Sequence, residues 1–261
     1  MKEFLKLFKF DPTKAMHVGV ERERFIMNAK GEIVPEAKKV LNLLPSNESY
    51  GYELSACQLE DRVGPIRLDE LTRALQSNDR EISIALKALK LKDHFTEVAP
   101  FDMDLTVYDD PTGRYQQIIK NMPIDILRAA CRVAGTHVHI GMPNMKMALK
   151  VYNGVIHHWA NLAEIINESK GERLEIYKMM AKSYEPVPYK SVEEFYKDAC
   201  SQGFEKDPRK NWQLIRITVH GTIEFRMGGA TASHTLINKF ARECYRVCDG
   251  IYAPSVSCFA W

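Results

Sequence analysis

Apolar and polar residues alternate with period two in several short stretches of the chain, which is the pattern of half-buried strands. These stretches are residues 16–27, 50–60, 135–143, 212–219 and 222–227. The stretch 50–60 is consistent with one strand or with a strand pair. His220-Gly221 separates the last two stretches and predicts a hairpin turn between them. The segment 94–101 is short and also strand-like.

Other segments repeat their apolar residues every three or four positions, as amphipathic helices do. They lie at 69–91, 110–119, 123–135, 151–166, 192–202 and 233–250. Asp110-Pro111 resembles an N-cap followed by proline at the first helical position, and Ser191 with Glu194 forms a capping-box pattern. Because strands and helices do not alternate regularly, the sequence predicts an α+β fold with a largely antiparallel sheet.

The chain has 261 residues, of which 45% are hydrophobic and 27% charged, as is usual for a globular protein. No linker or repeat divides it, so we expect a single domain over 1–261. The 36 basic residues nearly balance the 34 acidic ones. This balance argues against a nucleic-acid partner and favours small-molecule chemistry.

No apolar run is long enough for a membrane span, and the N-terminal segment carries charges throughout. We therefore expect a soluble, cytoplasmic protein without a membrane partner. Six scattered cysteines in a chain of this length are expected to be reduced. Cys244 and Cys248 lie one helical turn apart, and packing is favoured over metal binding because no second ligand pair is nearby.

The first strand carries charges on both of its faces. Glu21 and Glu23 share one face, and Arg22 and Arg24 share the other. A solvated face is the ordinary interpretation of such carboxylates. If Glu21 and Glu23 were buried, their mutual repulsion would require a divalent cation beside them.

The other strands repeat this enrichment in charged and imidazole side chains. The residues concerned are Glu53, Glu60, His137, His139, Glu224 and Arg226. Glu53 and Glu60 are an odd number of positions apart, so one flat strand would face them in opposite directions. Either a bulge lies between them or they serve different sites. The two histidines could be half of a transition-metal site or a structural pair.

Taken together, several carboxylates with an imidazole form an oxygen-rich ligand set that suits Mg²⁺ or Mn²⁺. A strand arginine beside them suits a transferring phosphoryl group, so the combination indicates ATP chemistry. The sequence contains no P-loop motif and no glycine-rich dinucleotide motif.

Four segments resemble motifs of the glutamate-cysteine ligase and carboxylate-amine ligase family. They are GVERERFIM, YELSACQLEDRVGP, GTHVHIGMP and HGTIEFRMGGA, and they occur in the order found in the family. The resemblance implies a curved, mostly antiparallel sheet of the glutamine synthetase type, shaped as a funnel with helices on its outer face. It also implies a reaction in which ATP phosphorylates a carboxylate and an amine then displaces the phosphate to form an amide.

The resemblance assigns roles to particular residues. It places Glu21, Glu23, Glu53, Glu60, His139 and Glu224 at metal positions. Arg226 is expected at the transferred phosphate, with Glu224 and Glu60 as its catalytic partners. His137, His139 and Arg226 are expected to contact ATP, and His137 is the weakest of these three candidates.

The substrates implied by the family are glutamate, activated at its γ-carboxylate, and cysteine or another amino acid or amine, as in glutathione biosynthesis. Four arginines are available to grip an α-carboxylate: Arg132, Arg173, Arg209 and Arg216. We expect Arg216 to do so, because it lies just before the catalytic-type hairpin. Tyr184, Tyr189 and Trp212 could wall the pocket, although packing is the more common role of such aromatic residues.

The chain is shorter than expected for this family, and the segment between His139 and Glu224 is compact. Substrate choice therefore stays open. Two alternatives also stay open: a nucleotide-binding relative without turnover, and a metal-dependent hydrolase built on the two histidines. A homodimer could cover the edges of the sheet.

Overall fold

The structure is a computed structural model that describes residues 1–45, 48–181 and 183–257, with side chains to residue 253. Its strands are β1 (Val18–Met27), β2 (Tyr50–Tyr52), β3 (Gln58–Ile66), β4 (Lys92–His94), β5 (Gly135–Gly141), β6 (Ile215–Ile217) and β7 (Thr222–Gly229).

Its α-helices are α1 (Lys2–Leu5), α2 (Ala37–Leu41), α3 (Leu71–Ala88), α4 (Arg114–Ile119), α5 (Ile124–Arg132), α6 (Met145–Val155), α7 (Trp159–Ala163), α8 (Glu172–Met180), α9 (Val192–Gln202) and α10 (His234–Ser257). Short 3-10 helices cover 12–14, 68–70, 156–158 and 208–210.

The strands form one seven-stranded sheet in the order β2-β3-β1-β5-β7-β6, and β4 pairs with the end of β1. Each of these pairings is antiparallel. Val20, Val138 and Phe225 lie opposite one another on β1, β5 and β7, so their side chains point to the same face. The predicted α+β fold with an antiparallel sheet is confirmed.

That face, which we call the core face, is covered by helices α3, α6, α7 and α10. Its apolar side chains are almost completely buried, among them Val20, Val138 and Phe225. The opposite face, which we call the cavity face, carries Glu21 and its neighbours. Helices α4 and α5 stand across from it and leave an open cavity between themselves and the sheet.

Several elements differ from the sequence prediction. The helix expected from Asp110 begins only at Arg114, because the Asp110 carboxylate accepts bonds from the backbone N–H groups of Thr112 and Tyr115 and so organises a turn first. The segment 94–101 joins the sheet only at its start, through β4, with an isolated bridge at Val98. The helix expected over 151–166 is interrupted by a 3-10 turn at 156–158.

Cys57, Cys131, Cys200, Cys244 and Cys248 are free, while Cys258 lies outside the described residues. Cys244 and Cys248 are fully buried in the apolar core, as the packing interpretation expects. In the described part of the chain, no helix combines the length and the apolar character that crossing a membrane requires.

Candidate functional site

Charged and imidazole side chains project from four neighbouring strands into one cavity of about 980 Å³. On these strands they are Glu21, Glu23, Glu60, Arg62, His137, His139, Glu224 and Arg226. Each of the four strands contributes two of these residues, which lie two positions apart. The period-two geometry of a strand therefore directs both of them to the same face. Strand register therefore brings together the predicted residues that lie on these four strands.

One row across the sheet runs through Gly19, His139, Glu224 and Arg216, which are successive pairing partners on β1, β5, β7 and β6. Glu21 follows two positions after Gly19 and reaches the same place. Ligand atoms of Glu21, His139 and Glu224, which we call the histidine set, all lie within 4.8 Å of one another. The His139 Nε2 atom is 3.5 Å from Glu21 Oε1 and 4.0 Å from Glu224 Oε1.

His139 Nε2 is buried and makes no hydrogen bond to any described residue. The other ring nitrogen, Nδ1, is 2.9 Å from the hydroxyl of Thr222, which fixes the ring. When Nδ1 donates to that hydroxyl, the Nε2 lone pair faces two carboxylates. Either a proton or a cation must lie there, so these three residues fit a divalent cation by their chemistry.

A second group, which we call the carboxylate set, consists of Glu23, Glu53 and Glu60, and their ligand atoms also lie within 4.8 Å of one another. Glu23 and Glu60 are pairing partners on β1 and β3. Glu53 comes from the loop that joins β2 to β3, which explains how it reaches the same point as Glu60 despite the odd spacing. Glu53 thus lies in the loop and Glu60 lies on β3, so alternation along one strand does not relate their directions.

Burial and neighbouring carboxylates raise the pKa values of Glu53 and Glu60. Burial, with the charge of Glu23 next, raises the pKa of Glu53 to about 7. Burial and the charges of Glu21 and Glu53 raise the pKa of Glu60 well above its usual range, although Arg62 is ion-paired with it. Three carboxylates held so close also suit an oxygen-ligated divalent cation.

His137 lies between the two sets. Its Nδ1 atom is 3.5 Å from Glu21 Oε2 and 3.7 Å from Glu224 Oε1, and its Nε2 atom is 3.9 Å from Glu23 Oε1. The family resemblance makes His137 a weaker candidate ligand than His139, yet His137 lies closer to both sets together.

Two arginines hold Glu224. Arg226 Nη1 donates to Glu224 Oε1 at 2.5 Å, and Arg216 Nε donates to Glu224 Oε2 at 2.5 Å. Burial alone would raise the pKa of Glu224, but Arg216 and Arg226 lower it, so this carboxylate stays ionised. Glu21 is similar: burial opposes ionisation, but His139 and His137 hold its pKa well below the usual range.

Arg216 is further held by the carbonyl oxygens of Arg209 and Asn211, which accept from its Nη1 at 3.0 and 2.6 Å. It lines the cavity, but much of its donor capacity is already used beside Glu224. Its predicted grip on a substrate carboxylate remains a prediction.

Of the other three arginines considered for that role, one lines the cavity and two do not. Arg209 lines the cavity and pairs with Asp207. Arg132 and Arg173 do not line it: Arg132 Nε donates to the carbonyl of Ala99, and Arg173 is buried with its Nε donating to the carbonyl of Ala134. Arg173 supports the backbone at the end of the sheet.

Of the three aromatic residues considered for the pocket wall, only Trp212 lines the cavity. Tyr189 is buried against Tyr152 and Phe195, as the packing interpretation expects, and Tyr184 packs on the same core. Trp212 instead lines the cavity with 44% of its surface exposed, and its ring lies 6.0 Å from the Arg226 guanidinium.

Sequence reasoning missed several polar residues of the cavity, among them Arg62 and His220. Arg62 follows Glu60 by two positions, so the same alternation that selects Glu60 could have identified it. His220 lies in the turn before β7, where Gly221 adopts φ +72°, and no periodic pattern indicates its direction. Both residues also line a second cavity of about 970 Å³, which the first adjoins at Glu21 and His139.

Comparison with known proteins gives structural matches only. No protein-family model matches the chain, and no curated protein matches it in sequence. A bifunctional glutathione synthetase from Pasteurella multocida matches with a TM-score of 0.64 and 14% identity, over 96% of this chain and 40% of that one. The two proteins share a fold.

A weaker match is the Plasmodium falciparum glutamine synthetase, with a TM-score of 0.49 and 11% identity over 90% of this chain and 52% of that one. The chain thus spans 40% of the synthetase whose fold it shares. Fold alone does not fix an activity, so the function must be argued from the cavity.

Proposed function

We propose that this protein is an ATP- and Mg²⁺-dependent carboxylate-amine ligase. The observation that carries the proposal is the meeting of two three-residue ligand sets in one cavity, with Arg226 at the carboxylate of Glu224. The resemblance of the four sequence motifs to that ligase family and the fold shared with a glutathione synthetase are consistent with it.

The histidine set would hold one Mg²⁺ or Mn²⁺ ion, and the carboxylate set would hold another. Such ions neutralise phosphate charge and orient the phosphoryl group for in-line transfer. His137, which contacts both sets, keeps their side chains in place and lies where it could also contact ATP. No serine or cysteine nucleophile is needed for this chemistry.

Arg226 is the residue we assign to the transferred phosphate. Its guanidinium is held in place by Glu224 on one side and by the Tyr177 hydroxyl, 3.3 Å from Nε, on the other. A cation fixed in advance stabilises charge that develops in the transition state without reorganising. Glu224 is thus both a ligand and the group that aims Arg226.

The incoming amine must lose a proton, and Glu53 and Glu60 are the candidates in the cavity to accept it. Burial and neighbouring carboxylates raise the pKa of Glu53 to about 7 while no cation is bound. A cation bound to this carboxylate would lower that pKa, so the carboxylate that accepts the proton would be one that the cation leaves free. Glu60 lies in the same set, and its pKa is also raised.

For the substrates, we propose glutamate, activated at its γ-carboxylate, and cysteine or another amine. This would be a step of the kind that builds glutathione. The rim of the cavity carries Arg114, Arg209 and Lys210, which suit anionic ligands. Helix α5 and its surroundings supply an apolar wall that includes Met122 and Ile126.

The test is to incubate the protein with ATP, Mg²⁺ and a panel of amino-acid and amine pairs and to measure ADP. We expect ADP release that requires both a carboxylate and an amine. The Glu21→Gln variant, checked for an unchanged circular dichroism spectrum, should release ADP about 10²–10³ times more slowly.

The other outcomes separate the alternatives. ATP binding without ADP release from any pair would contradict the ligase proposal and favour a nucleotide-binding relative without turnover. Zinc, iron or manganese in the purified protein, together with hydrolysis that needs no ATP, would favour the metal-dependent hydrolase.

A further inference from the structure

Directly behind the two ligand sets, the core face of the sheet carries charges of its own. We call this group the buried ion network, and it consists of Arg22, Arg24, Asp61, Asp79 and Asp93. The side chains of Arg22, Arg24 and Asp61 are at most 1% exposed. The proposed reaction uses none of them.

The network joins β1 to three other elements. Arg22 Nη2 donates to Asp61 Oδ2 on β3 at 2.7 Å and to Asp79 Oδ1 on α3 at 2.8 Å. Arg24 is paired with Asp61 and donates from Nη1 to Asp93 Oδ2 on β4 at 2.9 Å. His234 of α10 adds a contact of 2.7 Å from its Nε2 to Asp79 Oδ2.

The two faces of the β1–β3 pair make opposite electrostatic contributions. On the cavity face, Glu23 lies directly opposite Glu60, and two carboxylates in that position push the strands apart whenever both are ionised. On the core face, the next pair along is Arg22 opposite Asp61, which attracts. The attraction behind the sheet therefore opposes the repulsion in front of it.

The same arrangement selects one register. If β1 slipped by one residue along β3, every side chain of β1 would change face. The carboxylates of Glu21 and Glu23 would then enter the core, and Arg22 would face the cavity. Burying charges without partners is costly, so only the observed register keeps both faces satisfied.

We propose that the buried ion network is a positioning device that fixes the register of β1 on β3 and thereby holds the two ligand sets at the cavity. Its members do not touch the cavity ligands or a substrate, and they act through the backbone of β1. The inference depends on the proposed cation sites for its effect on affinity, but its effect on the strand can be measured without a cation.

Asp79→Asn is the best variant, because the Asp79 side chain is 32% exposed and its loss leaves Asp61 and Asp93 in place. Asp79→Glu restores the charge and is the conservative rescue. Val155→Ala, in the apolar core of α6, is the control for lost stability alone. Mn²⁺ affinity is measured by isothermal titration calorimetry at a temperature where all variants are folded.

We expect Asp79→Asn to bind Mn²⁺ about 10- to 100-fold more weakly, the range typical of lost supporting contacts around a metal site. Hydrogen exchange, measured without metal, should speed up in β1 relative to β7 in this variant. Asp79→Glu should regain most of both properties. Val155→Ala should change neither Mn²⁺ affinity nor the ratio of exchange in β1 to that in β7.

If Asp79→Asn binds Mn²⁺ like the unsubstituted protein and exchanges evenly across the sheet, the network is merely structural and the inference is wrong. If the unsubstituted protein binds no Mn²⁺, the proposed function loses its cation sites. In that case the exchange comparison between β1 and β7 still decides the register claim.

Discussion

The two ligand sets lie in the same cavity and share strand β1, yet their electrostatic surroundings are opposite. In the histidine set, Glu224 is held by Arg216 and Arg226, so its carboxylate stays charged before anything binds. In the carboxylate set, Arg62 is the cation paired with Glu60, and the pKa values of Glu53 and Glu60 are raised.

This difference shows which part of the site is organised before a ligand binds. In the histidine set Arg216 and Arg226 balance Glu224, so a cation would displace only the proton at His139 Nε2. In the carboxylate set a cation would displace the protons of both Glu53 and Glu60. We therefore expect cation binding at the carboxylate set to release protons and to depend more steeply on pH.

The largest effect is expected from Glu21→Gln, which removes a ligand of the histidine set. Turnover should fall by about 10²–10³, the loss typical when one group that stabilises transition-state charge is removed. The measurement is the initial rate of ADP release at saturating ATP. Glu243→Gln, at a surface ion pair with Arg246 outside the cavity, is the matched control and should keep full activity.

A second prediction removes the carboxylate set while leaving the histidine set intact. The double variant Glu53→Gln, Glu60→Gln should bind one Mn²⁺ ion where the unsubstituted protein binds two, as counted by titration calorimetry. Its apo form should also be more stable, because the repulsion between buried carboxylates is gone. An unchanged stoichiometry of two would show that these residues are not ligands.

The third prediction concerns pH. Because the pKa of Glu53 in the folded state is raised to about 7 from 4.5, its contribution to stability is complete below pH 4.5 and is lost as pH rises to about 7. A bound cation should offset that loss. Mg²⁺ should therefore raise the melting temperature more at pH 8 than at pH 5.5, measured by differential scanning calorimetry. An equal increase at both pH values would contradict the assignment.

The smallest effect is expected at the rim. Trp212→Ala removes an exposed ring 6.0 Å from the Arg226 guanidinium, a contact worth about 0.5–1 kcal/mol. Activity should fall by about two- to fivefold, while the melting temperature changes little. A loss as large as that of Glu21→Gln would mean that Trp212 contacts the reacting groups.

Much of the fold and site follows from the sequence because strands have a simple period. Alternation along β1, β5 and β7 places Glu21, His139 and Glu224 on one face without knowledge of the rest of the chain. Glu53 was ambiguous because alternation holds only within one strand, and Glu53 lies in a loop between two.

Other features depend on tertiary contacts that local patterns do not carry. Helix α8 was missed because Leu174, Ile176 and Met179 do not form a single apolar stripe. The arginines on the far face of β1 could be placed by alternation, but their buried partners Asp79 and Asp93 come from distant segments. The role of Arg173 also depends on a distant segment, because its Nε donates to the carbonyl oxygen of Ala134 and the side chain does not line the cavity.

The most direct test of the account is a crystal structure grown with Mn²⁺ and a non-hydrolysable ATP analogue, with anomalous scattering recorded at the manganese edge. The account predicts two manganese peaks, one at the histidine set and one at the carboxylate set, with the terminal phosphate beside Arg226. Manganese absent from both sets while the analogue is bound elsewhere would contradict it.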